Sequence, residues 1–173
     1  MRATWPTALL ALALLTACGP DPQPPAQGGA TTAAGAPTST SAQSGGSPQC
    51  PANSVLASTL GITVTRTDAP ARFGTTSIAC GYDGTMADGN SANVTLRLQI
   101  RASASDYADF RQKSAGFTLT DKSGVGDEAF TYSFGPGNVL HTIVSRKGDL
   151  LVYVSSQASF DQEVALLNVL FQR

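Results

Sequence analysis

The sequence predicts an α+β domain: a mainly antiparallel sheet with helices packed on one face, and one disulfide. The clearest sign is Val94-Thr95-Leu96-Arg97-Leu98-Gln99-Ile100-Arg101, where every even position is apolar and every odd one polar, the period-two pattern of a strand with one wet face. Two further runs, Val139 to Ser145 and Leu150 to Ser155, are joined by Arg146-Lys147-Gly148-Asp149, a connection short enough for a hairpin. Finally, Ser159 with Gln162 three residues on makes a capping box, and Phe160, Val164, Leu167 and Phe171 fall on one stripe of the helix it opens.

The remaining elements follow in chain order. Pro51 suits the first turn of a helix, and Gly61 suits its end, so Cys50 to Leu60 is expected as a short helix presenting Val55, Leu56 and Leu60. The next stretch has loop character until Ile78-Ala79-Cys80-Gly81-Tyr82, a strand; Asp83-Gly84 and Asp88-Gly89-Asn90 mark turns before the alternating strand. Ser103 or Ser105, with Asp106 nearby, opens a helix that turns Tyr107, Ala108 and Phe110 inward and closes near Gly116. Phe117-Thr118-Leu119-Thr120 is a brief strand. After Gly124-Val125-Gly126-Asp127 the alternation resumes in Phe130-Thr131-Tyr132-Ser133-Phe134 and is broken by Gly135-Pro136-Gly137-Asn138. Helix, two strands, helix, three strands in a meander and a last helix make the α+β order.

Residues 1–17 carry one cation, Arg2, then the apolar run Ala8 to Leu15 and the small residues Thr16 and Ala17, the layout of a signal peptide. The run is too short to cross a bilayer, which takes about 20 residues. Leu15-Thr16-Ala17-Cys18 resembles the bacterial lipobox, which implies a diacylated Cys18 and a membrane anchor; two or more acyl chains hold stably where one holds only marginally. Residues 18–49 contain Pro, Gly, Ser, Thr, Ala and Gln, with Asp21 as the single charge, too little apolar surface to offset ordering entropy. They are expected to form a tether spanning on the order of 30 Å. Residues 50–173 are the globular domain.

The whole chain of 173 residues is 42% hydrophobic and 13% charged, with 11 basic against 12 acidic residues. Without a positive surplus to neutralise phosphates, nucleic acid is not an expected partner. One His and three Cys argue against a multi-ligand zinc site, so no metal or cofactor is expected. With Cys18 assigned to lipid, Cys50 and Cys80 are left to form one disulfide in an oxidising compartment, and their spacing is far from the Cys-x-x-Cys of a redox pair. Closing that loop would stabilise the fold by roughly 3–4 kcal/mol in the chain-entropy model.

The inventory for catalysis is thin. The single His, His141, sits mid-strand without a Gly-x-Ser-x-Gly elbow to serve. Asp106 with Asp109, and Asp127 with Glu128, are the nearest carboxylate pairs. Negative charge at the start of a helix accounts for the first pair through the helix dipole.

The lipobox, the tether, Cys50 opening a helix that ends Leu60-Gly61, Cys80-Gly81-Tyr82 on a strand, and Val125-Gly126-Asp127-Glu128-Ala129 before a hairpin together resemble a group of actinobacterial lipoproteins of uncharacterised function. The domain is also distantly similar to the extracellular sensor domain of a mycobacterial Ser/Thr kinase, which has more cysteines. The resemblance implies an extracytoplasmic α+β domain with no known catalytic residues, and makes Asp127 and Glu128 a turn element. Two functions follow as expectations. The first is a lipid-anchored, non-catalytic binding or sensor module for an envelope component, small ligand or protein partner, using the wet strand face of Thr95, Arg97, Gln99 and Arg101. The alternative is a carboxylate-dependent hydrolase of the cell envelope. A deep pocket with two acids of raised pKa would favour the enzyme, and a shallow face without them would favour binding.

Overall fold

In the computed structural model the described residues are 47–172; the expected signal peptide, Cys18 and all of the tether up to residue 46 lie outside them. The elements run α1 (Asn53–Leu60), β1 (Thr63–Thr67), β2 (Ala71–Phe73), β3 (Ser77–Thr85), β4 (Ser91–Gln99), α2 (Ala104–Lys113), β5 (Thr120–Asp121), β6 (Glu128–Phe134), a 3₁₀ turn at Pro136–Asn138, β7 (Leu140–Lys147), β8 (Leu150–Ser156) and α3 (Phe160–Leu170). The strands form one antiparallel sheet in the order β1-β3-β4-β8-β7-β6-β5, with β2 also on β3. This is the α+β architecture that the sequence predicts.

The alternating run forms the middle of the sheet because β4 pairs with β3 on one side and β8 on the other. Its apolar positions Val94, Leu96 and Leu98 are buried, as alternation requires, while Thr95 is exposed. The strand starts earlier than expected, at Ser91, and stops at Gln99. Beyond it the Ile100 N–H bonds to the Thr76 carbonyl, and Arg101 takes a left-handed φ of 58°, so Arg101 turns off the strand instead of extending its polar row.

Two strands lie in the stretch expected to be loop. β1 and β2 line the outer edge of β3 in succession, and all their residues except Val64 are exposed. Such a strand shows no alternation because neither side chain set is buried; Asp68-Ala69-Pro70 separates the two, and Pro belongs on sheet edges.

The sheet has a core on each face. On one, α1 and α3 cover Ile78, Cys80, Tyr82, Val94, Leu96, Ile143 and Val154. Cys50 and Cys80 are joined with their Cα atoms 5.8 Å apart, which ties the lead-in to α1 to β3. α1 begins at Asn53, three residues later than Cys50, and the Gln162 amide from α3 donates to the Leu60 carbonyl where α1 ends. α3 carries the expected capping box, Ser159 with Gln162, but its fully covered stripe is Glu163, Leu166, Leu167 and Leu170, with Phe160, Val164 and Phe171 only half-buried.

α2 lies on the opposite face. Ser103 caps it, with Asp106 completing the box, and it ends at Lys113. Tyr107 meets Phe130 edge-on at 5.6 Å, and Phe110 lies against Tyr153 at the same separation. Ala108 points to solvent, contrary to the expected inward triad, because Tyr107 and Phe110, three apart, already define the buried side. Odd-numbered β4 residues, and Tyr153, Val144 and Phe130 in register with Arg97, therefore face α2. Helices thus stand on both faces, α1 and α3 together and α2 alone, and not on one face as expected, because Phe130, Tyr132, Val144 and Tyr153 give the sheet a second apolar face for α2 to cover.

Candidate binding groove

Between α2 and its sheet face runs an open groove of about 410 Å³. β4 supplies Arg97 and Gln99; α2 supplies Asp106, Asp109, Phe110 and Lys113, at helical spacings of three and four that put them on one side. Beyond the helix, Ser114 and Phe117 complete the wall, and Tyr132 from β6 lies opposite.

Arg97 is half-buried. Its guanidinium carbon sits 5.4 Å from the ring centre of Phe73 and 5.9 Å from that of Phe110, and its Nε donates to Ser77 Oγ at 3.2 Å. Among the described residues no carboxylate lies within 4.0 Å of it, so the cation is held by two rings and keeps its terminal donors. Gln99 lies beside Asp106, whose carboxyl is held below the usual carboxylate range first by the Ser103 hydroxyl, then by the Ser103 amide, with a smaller contribution from Gln99. Asp106 is consequently an anion and a hydrogen-bond acceptor at neutral pH.

The other end is aromatic. Phe117 is 44% exposed and stacks on Tyr132 at 4.6 Å with 14° between the ring planes, while Phe134 flanks both. Burial pushes the Tyr132 hydroxyl up to about 12, so it stays protonated. The helix that walls the groove is fastened at its far side by Arg111, which pairs with Asp121 of β5 at 2.5 Å and lies over the Phe130 ring.

Of the four residues expected to form the wet face, Arg97 and Gln99 line the groove; Thr95 is on the same sheet face outside the lining, and Arg101 is off the strand. The sequence did not signal Phe117, expected within a brief strand; the strand there is only Thr120–Asp121, two residues long. Asp109 and Lys113 had a signal in their spacing from Asp106.

The other chemical candidates lie elsewhere. His141 is on the α1/α3 side, with Nδ1 3.2 Å from Ser133 Oγ and its ring edge-on to Phe160 at 4.6 Å. Asp127 and Glu128 clasp the β7–β8 hairpin: Arg146 Nε donates to Glu128 at 2.6 Å and the Gly148 N–H donates to Asp127 at 2.7 Å. Glu163, fully buried under α3, has its carboxyl pushed up to about 8 by burial; Ser156 donates to one oxygen and the other has no partner among the described residues. Among the described residues no group of three or more His, Cys, Asp or Glu is placed to hold a metal ion, and no helix is long and apolar enough to cross a membrane. Comparison with protein-family models, with curated proteins and with solved structures finds no match to this chain.

Proposed function

We propose that the chain is an extracytoplasmic lipoprotein, held at the cell membrane through a lipidated Cys18, whose domain is a non-catalytic binding or sensor module for an envelope component, small ligand or protein partner. The observation that carries this reading is the groove beside α2, where a guanidinium with no carboxylate partner among the described residues and an exposed aromatic ring share one wall system open to solvent. The hydrolase alternative needs an acid of raised pKa within reach of substrate. Asp106 is displaced the opposite way, and the carboxyl that is raised, Glu163, is sealed behind the other face of the sheet.

Two measurements test the proposal. Mass analysis of the mature N-terminus is expected to give a diacylated Cys18; an unmodified residue ahead of position 18 overturns the anchor. A photo-crosslinking residue at Lys113 of the full-length chain in its native membrane is expected to yield a discrete adduct that disappears with Arg97→Gln. Adducts equal to those from exposed Ser54 on α1 would overturn the assignment of the groove.

A further inference from the structure

We infer that the groove takes a neutral saccharide of a few linked sugar units, an inference that rests on the reading of the groove as a binding site. Its charges cancel. Arg97 and Lys113 share the lining with Asp106 and Asp109, so a ligand of either sign meets repulsion as well as attraction and gains little from the field. What the same residues offer without regard to net charge is planar hydrogen bonding: the two terminal nitrogens of the Arg97 guanidinium, the Gln99 amide, the Asp109 carboxylate and Asp106, one oxygen of which is committed to the Ser103 cap. Donors and acceptors in that arrangement match adjacent hydroxyls, each of which both donates and accepts.

The aromatic end supplies the complementary half. A sugar ring has one polar rim and a face of C–H groups, and a flat ring with an exposed face is the surface those C–H groups cover most completely. Phe117 is such a ring, and Tyr132 stacked behind it fixes its plane. β8 and β7 lie between β4, which carries Arg97, and β6, which carries Tyr132, a separation of about 14 Å at the usual strand spacing. That is the reach of a short oligosaccharide, longer than one ring, and the volume of about 410 Å³ lies within the small-ligand range.

The test titrates the full-length chain in detergent micelles with neutral linear trisaccharides of glucose, mannose and N-acetylglucosamine, alongside trigalacturonate, trilysine and triglutamate, and reads binding by calorimetry and aromatic NMR shifts. The expected result is saturable binding of at least one neutral trisaccharide, with Phe117 and Tyr132 resonances moving. Phe117→Ala and Arg97→Gln should each weaken it by about tenfold or more in protein that still unfolds in one cooperative transition well above the assay temperature. Binding that ignores both substitutions overturns the inference. Peptide or galacturonate binding that is lost with the same substitutions, with no response to neutral sugars at millimolar concentration, also overturns it but leaves the groove as a binding site. Silence from the whole panel removes the saccharide, and the Lys113 crosslink then decides the groove independently.

Discussion

Glu163 makes the domain's stability depend on pH in a direction opposite to that of most carboxylates. It sits in the first turn of α3 with no exposed surface; Ser156 Oγ donates to one oxygen at 2.8 Å, Ala158 N–H donates to that hydroxyl in turn, and the second oxygen has no partner among the described residues. One hydrogen bond does not replace the lost hydration of a carboxylate, so burial raises the carboxyl from an ordinary 4.5 to about 8. The folded state then holds a proton that the unfolded state releases. Well below pH 4.5 both states are protonated and the group adds no pH dependence. Above it each pH unit removes about 1.4 kcal/mol of stability, roughly 3 kcal/mol by pH 7 and about 5 kcal/mol once pH passes 8. Glu163→Gln is neutral at every pH and similar in shape. Urea unfolding of parent and variant, followed by circular dichroism from pH 4 to 8.5, should therefore show a stability difference that widens in favour of Gln by about 3 kcal/mol between pH 4.5 and 7. All other titrating groups are common to both proteins and cancel. A difference that stays constant across that interval would refute the reasoning.

Two further perturbations test the scaffold. Replacing Cys50 and Cys80 together with Ala opens a loop with a sequence separation of 30 and should cost about 3–4 kcal/mol by the same urea assay; a loss under 1 kcal/mol would mean that the bridge restrains an already ordered segment. Gly126→Ala places a Cβ 2.5 Å from both the Arg146 carbonyl and Ser145 Oγ at a φ of 65°, whereas Gly124, also at positive φ, has nothing within 4 Å. The Gly126 change should cost about 2–3 kcal/mol and the Gly124 change about 1 kcal/mol. Equal losses would show that the clasp of Asp127 and Glu128 on Arg146 does not depend on close approach.

What the sequence made legible follows from which faces are buried. β4, β6, β7 and β8 have at least one covered face and neighbours on both sides, so alternation and turn chemistry marked them. β1 and β2 are edge strands with almost nothing buried, and only the β-branched character of Thr63-Val64-Thr65-Arg66-Thr67 hinted at them. Arg101 misled because the alternation runs on through Ile100-Arg101 after the chain has turned. The side on which α2 lands was not legible either: Tyr107 and Phe110 show that the helix has an apolar side, and the aromatic residues able to receive it, Phe130, Tyr132 and Tyr153, alternate with those that face the main core. For the same reason Arg97 and Gln99 could be picked as wet-face residues, while their partners on α2 required the three-dimensional structure. Glu163 occupies an inward position of its helix, where a carboxylate breaks the pattern that the flanking apolar residues set.

The asymmetry between the two faces also sets where the domain opens. α3 buries Leu166, Leu167 and Leu170 completely and is hydrogen-bonded to the end of α1, so its release amounts to losing the main core. α2 is held by the smaller cluster around Tyr107 and Phe110, of which Phe110 is only half-buried, and by the exposed Arg111–Asp121 pair, worth little in water. Two aromatic side chains at about 1.5–3 kcal/mol each put the cost of lifting α2 below about 6 kcal/mol, at the low end of the 5–15 kcal/mol that whole domains require. Hydrogen exchange should therefore release the amides of Tyr107 to Lys113 well before those of Val164 to Leu170, and α2 protection equal to that of α3 would contradict this account. A groove with one wall anchored this lightly can adjust its width to what enters it. Any ligand seated between α2 and the sheet must then raise protection selectively along α2, since it binds only the state in which that wall is in place.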